Sequence, residues 1–94
     1  QLGAAVAPRP LPPAAAARLG RPGGVQILQV LEASPAESAG LRRGDLLIEL
    51  DGEPISDANA LQRLMVAERI GRRVSARVLR DGAELSVELT LEEL

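Results

Sequence analysis

Glycine and proline divide this chain into short segments, and this punctuation restricts the fold more than any other feature of the sequence. Each apolar segment is bounded by a residue that starts or stops a helix or a strand. The dipeptides Asp51-Gly52 and Asp81-Gly82 favour two-residue hairpin turns, because both residues of such a turn need positive φ angles. The chain is therefore predicted to consist of short strands and short helices joined by tight turns.

Two short helices are indicated by their start and stop signals. Residues 12–20, PPAAAARLG, place proline at a helix start, follow it with an alanine run and end on Gly20 as a C-terminal cap. In SPAESAGL, Ser34 is a predicted N-cap, Glu37 stands at the capping-box position and Gly40 ends the helix. The longest and most amphipathic helix is predicted within residues 57–70, before Gly71.

Strands are predicted in the apolar segments that remain. Residues 2–7 form the first, which Pro8 and Pro10 should end because proline has no amide to donate. Residues 24–32 and 45–52 form two more, and a closing hairpin surrounds Asp81-Gly82. The predicted order is strand, short helix, strand, short helix, strand, long helix, strand, strand. That order indicates an α+β fold, a small sheet or partly open barrel capped by helices.

Composition excludes several classes of function. At 94 residues the chain is expected to be one small domain. Its net charge of -2 and its lack of aromatic residues argue against nucleic-acid binding. It has no Cys and no His, so thiol nucleophiles, imidazole bases and His-containing metal sites are excluded. No catalytic residue, metal or cofactor is predicted, and the apolar runs are too short for membrane insertion.

One long stretch, GVQILQVLEASPAESAGLRRGDLLIELDGEPI, resembles the core of a PDZ domain. The match to S-P-A-x-x-A-G-L-x-x-G-D before an apolar strand and a D/N-G turn is specific. It continues in DANALQRLM, which resembles the groove helix, and in VLRDGAELSVELTL, which resembles the closing hairpin. With QLGAAV at the start, the strand order is similar to the permuted bacterial type, as in HtrA/Deg trypsin-like serine proteases. The resemblance implies a PDZ-like, partly open β-barrel or sandwich of five to six strands, capped by one long and two short helices.

The resemblance also implies a groove in which a free C-terminal peptide adds as a strand between the first strand and the long helix. The peptide carboxylate would be held by backbone amides of an x-Φ-G-Φ loop, for which Gly permits the necessary dihedral angles. On the helix, Leu61 and Met65 are expected to face the groove and Leu64 to face inward. The residues implied for peptide binding are Gln1, Leu2, Gly3, Ala4, Ala5, Val6, Leu61, Leu64 and Met65.

The implied partners are peptides or protein C-termini with a hydrophobic last residue, exposed hydrophobic segments and an attached protease domain. Residues 1–94 are then expected to be a single PDZ domain from a longer protease chain, in an extracytoplasmic or periplasmic setting. A second interpretation is a structural or allosteric oligomerisation domain whose groove is closed or self-occupied. A separate expectation is that the tail ending in Leu94 adds as a strand to the groove of a neighbouring molecule at high concentration. The PDZ domains of secretion machinery and of processing proteases are further alternatives to the HtrA/Deg type.

Overall fold

In the computed structural model, residues 2–67 and 71–91 are described. They form nine elements in the order β1 (Ala4–Pro10), α1 (Pro13–Leu19), β2 (Gly23–Val30), α2 (Pro35–Ala39), β3 (Leu46–Leu50), β4 (Glu53–Pro54), α3 (Ala58–Ala67), β5 (Arg73–Arg80) and β6 (Ala83–Thr90). This order confirms the α+β prediction. The two-residue strand β4 is the one element that the sequence patterns did not indicate.

The strands form one antiparallel sheet of six strands, in the order β1-β2-β3-β5-β6, with β4 paired to β3. The sheet stays open and does not close into a barrel, so β1 and β6 are its two edges. The Asp51-Gly52 and Asp81-Gly82 turns have positive φ at both residues, as the hairpin signals predict. The strand order agrees with the permuted arrangement that the resemblance implies.

Helices cover both faces of this sheet. Val78 and Leu79 are neighbours in β5 but belong to different apolar clusters. Since successive side chains of a strand point to opposite faces, the two clusters lie on opposite sides of the sheet. The larger cluster contains Leu61 of α3 and Ala36 of α2, whereas the smaller one contains Ala15 of α1. The long helix and α2 therefore share one face, and α1 covers the other.

The prediction that Pro8 and Pro10 end the first strand is wrong, because β1 continues to Pro10 and stays paired with β2. Leu11 donates its amide to the Pro22 carbonyl at 2.8 Å, so the backbone amide at position 11 faces the β2 side. The backbone groups of alternate residues point in opposite directions, which turns the nitrogens of Pro8 and Pro10 toward the open edge. Proline is tolerated there because no bond to β2 is lost.

The predicted capping signals place the helix starts. The Ser34 hydroxyl accepts a hydrogen bond from the Glu37 amide at 3.1 Å, and the Glu37 carboxylate accepts one from the Ala33 amide at 2.9 Å. The capping box is thus formed one residue further back than its usual form. Helix α3 is capped by Asp57, whose carboxylate accepts a hydrogen bond from the Ala60 amide at 2.8 Å.

A buried ion pair joins β5 to the loop after α2. Asp45 is 1% exposed, and its two oxygens accept bonds from Arg80 Nε at 2.8 Å and Nη2 at 2.7 Å. The Arg42 amide also donates to Asp45, and Arg80 donates to the Gly40 carbonyl. The hydrogen bond to Asp45 raises the pKa of Arg80, although desolvation opposes this. The sequence patterns indicated only a strand start at Asp45.

Replacing Asp45 by Ala should strongly destabilise the fold, because it leaves the partly buried Arg80 guanidinium without its counter-charge and removes the acceptor of the Arg42 amide. We expect a loss of about 3 kcal/mol in the free energy of unfolding, measured by urea denaturation. Glu49→Ala is the control, since Glu49 meets Arg77 only at 3.8 Å between partly exposed side chains. It should cost less than about 1 kcal/mol. Similar losses for both variants would contradict the structural role given to Asp45.

Candidate functional site

Strand β1 and helix α3 contact each other on one face of the sheet. A Cβ built on Gly23, the partner of Pro10, would lie 3.1 Å from the Ser56 carbonyl oxygen. Helix α3 therefore starts at the C-terminal end of β1. Leu2, Ala4 and Val6 all pack in the main apolar cluster that includes α3 residues. These three side chains share one face, as the period of two along a strand predicts.

On α3, the structure changes the expected roles of the apolar side chains. Leu61 is the most deeply buried of the three, at 6% exposure in the main cluster, whereas Leu64 and Met65 are half-buried against it. The expectation was that Leu61 and Met65 face the groove and Leu64 faces inward, but Leu61 and not Leu64 is the most buried of the three. The residues three and four positions after Leu61 lie on either side of it on the helix surface, so each keeps one flank exposed. Which of them contacts a ligand stays a prediction.

At the start of β1, the loop of Leu2, Gly3 and Ala4 is held by its carbonyl groups. The Leu2 carbonyl accepts a hydrogen bond from the Ala36 amide of α2 at 3.0 Å, and the Gly3 carbonyl accepts one from the Leu31 amide at 2.9 Å. In a trans peptide the N–H points opposite to the C=O. The amides of Gly3 and Ala4 are consequently turned away from α2 and from the end of β2. Two successive amides in this arrangement suit an anion.

Gly3 is required at its position for two separate reasons. Its φ angle is +79°, a conformation that residues with a side chain rarely adopt. A Cβ built on Gly3 would also lie 2.2 Å from the Ser34 Cβ, so there is no room for any side chain. The sequence patterns indicated the dihedral requirement. They treated Ser34 only as a helix cap and did not indicate that it lies against Gly3.

The open edge of β1 offers few backbone donors. Ala4 and Val6 share the phase of Pro8 and Pro10, so their amides and carbonyls point to the open edge. The prolines supply only carbonyl acceptors there. Ala5 has the opposite phase, so its amide and carbonyl point toward β2. Its side chain is exposed on the other face of the strand. A strand added at this edge can therefore accept hydrogen bonds only from the N-terminal half of β1.

Two expectations fall on residues outside the described ranges. These are the role of Gln1 in the loop and the occupation of the groove by the tail that ends in Leu94. Within residues 2–67 and 71–91, no group of three or more acidic side chains is placed to hold a metal ion. In the same ranges, no helix has the length and apolar character needed to cross a membrane.

Comparison with known proteins identifies a family and several relatives. A profile of the PDZ domain family matches residues 2–91. A probable periplasmic serine endoprotease DegP-like of Marinomonas sp. (strain MWYL1) is 39% identical over 74 residues, which is 79% of this chain and 16% of that protein. The periplasmic serine endoprotease DegP of Escherichia coli (strain K12) is 36% identical over 70 residues, which is 74% of this chain and 15% of that protein.

Among solved structures, the HtrA-type protease AlgW with a decapeptide has a TM-score of 0.78 to this chain at 28% identity. The similarity covers 98% of this chain and 28% of the AlgW chain. The chain thus spans about a sixth of the length of the two endoproteases named above. Both are named as periplasmic, which agrees with the extracytoplasmic location that the resemblance implies.

The family match extends from one end of the described structure to the other, and the three relatives named above are HtrA and Deg proteases. We conclude that this chain belongs to the PDZ domain family, is of the HtrA/Deg type, and is a non-catalytic module.

Proposed function

We propose that this domain binds free protein C-termini with a hydrophobic last residue, by adding them as a strand to the open edge of β1. The observation that supports this most directly is the loop of Leu2, Gly3 and Ala4. Its carbonyls are hydrogen-bonded to the fold, and its amides are turned away from those bonds. The ligand carboxylate would accept from these amides, and its last side chain would lie between β1 and α3.

The apolar side chains beside this loop favour a hydrophobic terminal residue. Ala4 and Val6 on β1, with Leu64 and Met65 on α3, are half-buried and pack against the main cluster. None of these four side chains carries a charge or a hydrogen-bonding group other than the weak thioether acceptor of Met65. A ligand side chain that enters between them must therefore be apolar, because a polar one would lose its hydrogen bonds to water.

The likeness to AlgW supports a peptide ligand, since AlgW was solved with a decapeptide and the present chain shares its fold along 98% of its length. The endoprotease relatives support a setting in a longer chain that carries a serine protease domain. In that setting the domain would capture substrate C-termini or exposed hydrophobic segments, or transmit their binding to the protease. Weak binding suits such a role, because tethering raises the effective concentration of the second site.

A peptide that ends in Val with a free carboxylate should bind with a Kd in the micromolar range or weaker. The strand that can be added is short, and burial of one aliphatic side chain contributes roughly 1.5–3 kcal/mol. The same peptide with an amidated C-terminus should bind at least about tenfold more weakly, because the amides of the loop lose a charged acceptor. Fluorescence anisotropy with a dye at the peptide N-terminus measures both. Equal affinities for the acid and the amide would contradict the proposed carboxylate site.

Met65→Glu should reduce binding of this peptide by about tenfold or more, because it places a charge beside the ligand's apolar side chain. The matched control is Val66→Glu, which introduces the same charge one residue later on the same helix. Val66 is 77% exposed, so its replacement should leave both affinity and stability nearly unchanged. Thermal melts test folding. If Met65→Glu unfolds the domain as Leu47→Glu in the core should, Met65 is a core residue and not part of the groove.

Peptides of four and eight residues with the same last four residues should bind with Kd values within about threefold of each other. The reason is that Pro8 and Pro10 offer no amide to the upstream part of the ligand, and one hydrogen bond contributes about 0.5–1.5 kcal/mol. Pro8→Ala restores an amide at the open edge, so the longer peptide should then gain affinity over the shorter one. A steady gain with length in the unaltered chain would show that upstream pairing does not depend on these prolines.

A further inference from the structure

Ser34 lies between the two backbone groups that hold the candidate carboxylate loop. Leu31, three residues before it, donates its amide to the Gly3 carbonyl. Ala36, two residues after it, donates its amide to the Leu2 carbonyl. Ser34 itself is 7% exposed, one of the two polar residues that are buried within the described ranges.

The Ser34 hydroxyl connects these two anchors. It donates to the Leu31 carbonyl at 2.7 Å and accepts from the Glu37 amide at 3.1 Å. One bond therefore fixes the residue that holds Gly3, and the other fixes the first turn of α2, whose Ala36 amide holds Leu2. A hydroxyl can donate and accept at the same time, and an alanine or a thiol at this place would not replace both bonds well.

Ser34 also forms the surface on which the loop rests. The position that a Cβ on Gly3 would occupy lies 2.2 Å from the Ser34 Cβ and 2.9 Å from its Oγ. The Gly3 backbone is thus packed directly on this side chain. A shift of Ser34 would move Gly3, and with it the two amides that are turned to the open edge of β1.

We infer that Ser34 is a positioning residue for carboxylate recognition, which acts by holding the Gly3 and Ala4 amides in the orientation that a ligand carboxylate needs. The inference rests on the proposed function. It goes beyond helix capping, because a cap would stabilise α2 without affecting the choice between ligands. If the hydroxyl positions the amides, its removal must lower the affinity for the acid form of a peptide more than that for the amide form.

Glu37 provides the matched control. Its carboxylate accepts a hydrogen bond from the Ala33 amide, so it caps the same end of α2, but its exposed side chain makes neither the bond to Leu31 nor the contact with Gly3. Glu37→Ala therefore weakens the start of α2 and leaves the Ser34 hydroxyl in place. A second control is Ile48→Val, in the cluster on the opposite face of the sheet. It lowers stability without touching the loop.

The experiment measures Kd for two labelled hexapeptides that end in Val, one with a free carboxylate and one with an amide, on the unaltered chain and on each variant. Ser34→Ala should weaken binding of the acid about three- to tenfold, as expected for the loss of a hydrogen-bonded support, and leave the amide unchanged. The ratio of the two Kd values should therefore move toward one. Glu37→Ala and Ile48→Val should keep the ratio of the unaltered chain.

Ser34→Cys is measured beside Ser34→Ala, because it keeps the shape of the side chain and exchanges the hydroxyl for a weak hydrogen-bonding thiol. Ser34→Cys should also move the ratio of the amide Kd to the acid Kd toward one, and it provides this test even if Ser34→Ala does not fold. If the ratio stays constant in folded variants of Ser34, or changes equally in Glu37→Ala, the positioning role is wrong while the proposed function stands. If the unaltered chain itself does not prefer the acid, the proposed function fails and this inference fails with it.

Discussion

The arrangement of this domain depends on β1 being bound on one side only. Its pairing with β2 over Ala4–Pro10 fixes the strand, and its place at the end of the strand order leaves the other side open. An open edge is a hazard in most proteins, because its unpaired amides and carbonyls invite association with any other strand. Here Pro8 and Pro10 remove the donors from the C-terminal half of that edge. What remains is a short segment beside Gly3, Ala4 and Val6, the segment for which we propose C-terminal recognition.

The rest of the fold keeps that short segment in place. Helix α2 spans only Pro35–Ala39, too short to be stable alone, yet its Ala36 amide bonds to Leu2 and its N-cap Ser34 supports Gly3. Beyond α2, the buried pair of Asp45 and Arg80 closes the following loop onto β5. The sheet, helix α2 and the candidate carboxylate loop are therefore connected by hydrogen bonds between polar groups in the interior, and not by apolar packing alone.

Apolar packing divides into two clusters on the two faces of the sheet, and only one of them borders the proposed binding site. The smaller cluster under α1 contributes apolar burial on the opposite face of the sheet, with Ile48 and Leu79 among its buried members. The larger cluster includes both the centre of the domain and the half-buried side chains beside β1. Leu61 belongs to its fully packed part, whereas Leu64 and Met65 lie at its margin. Residues within one turn of α3 can differ in this way, because neighbouring positions on a helix surface face different surroundings.

Local sequence patterns correctly predict the two short helices with their caps and the hairpin turns, because these depend on local chemistry. They do not predict the true end of β1 or the short strand β4. Positive φ at Asp-Gly turns, the Ser34 cap and the glycine that follows α2 are each decided by residues a few positions apart. The PDZ resemblance then indicated Gly3 and the strand that follows it as the ligand site, a role that remains a prediction. The contacts between distant segments, by contrast, follow from the tertiary fold. Asp45 meets Arg80 35 residues away, Ser34 packs on Gly3, and Pro8 fits within β1 because that strand lies at an edge. No local pattern encodes these contacts, since each depends on where the sheet order and the helix packing bring two separate segments together.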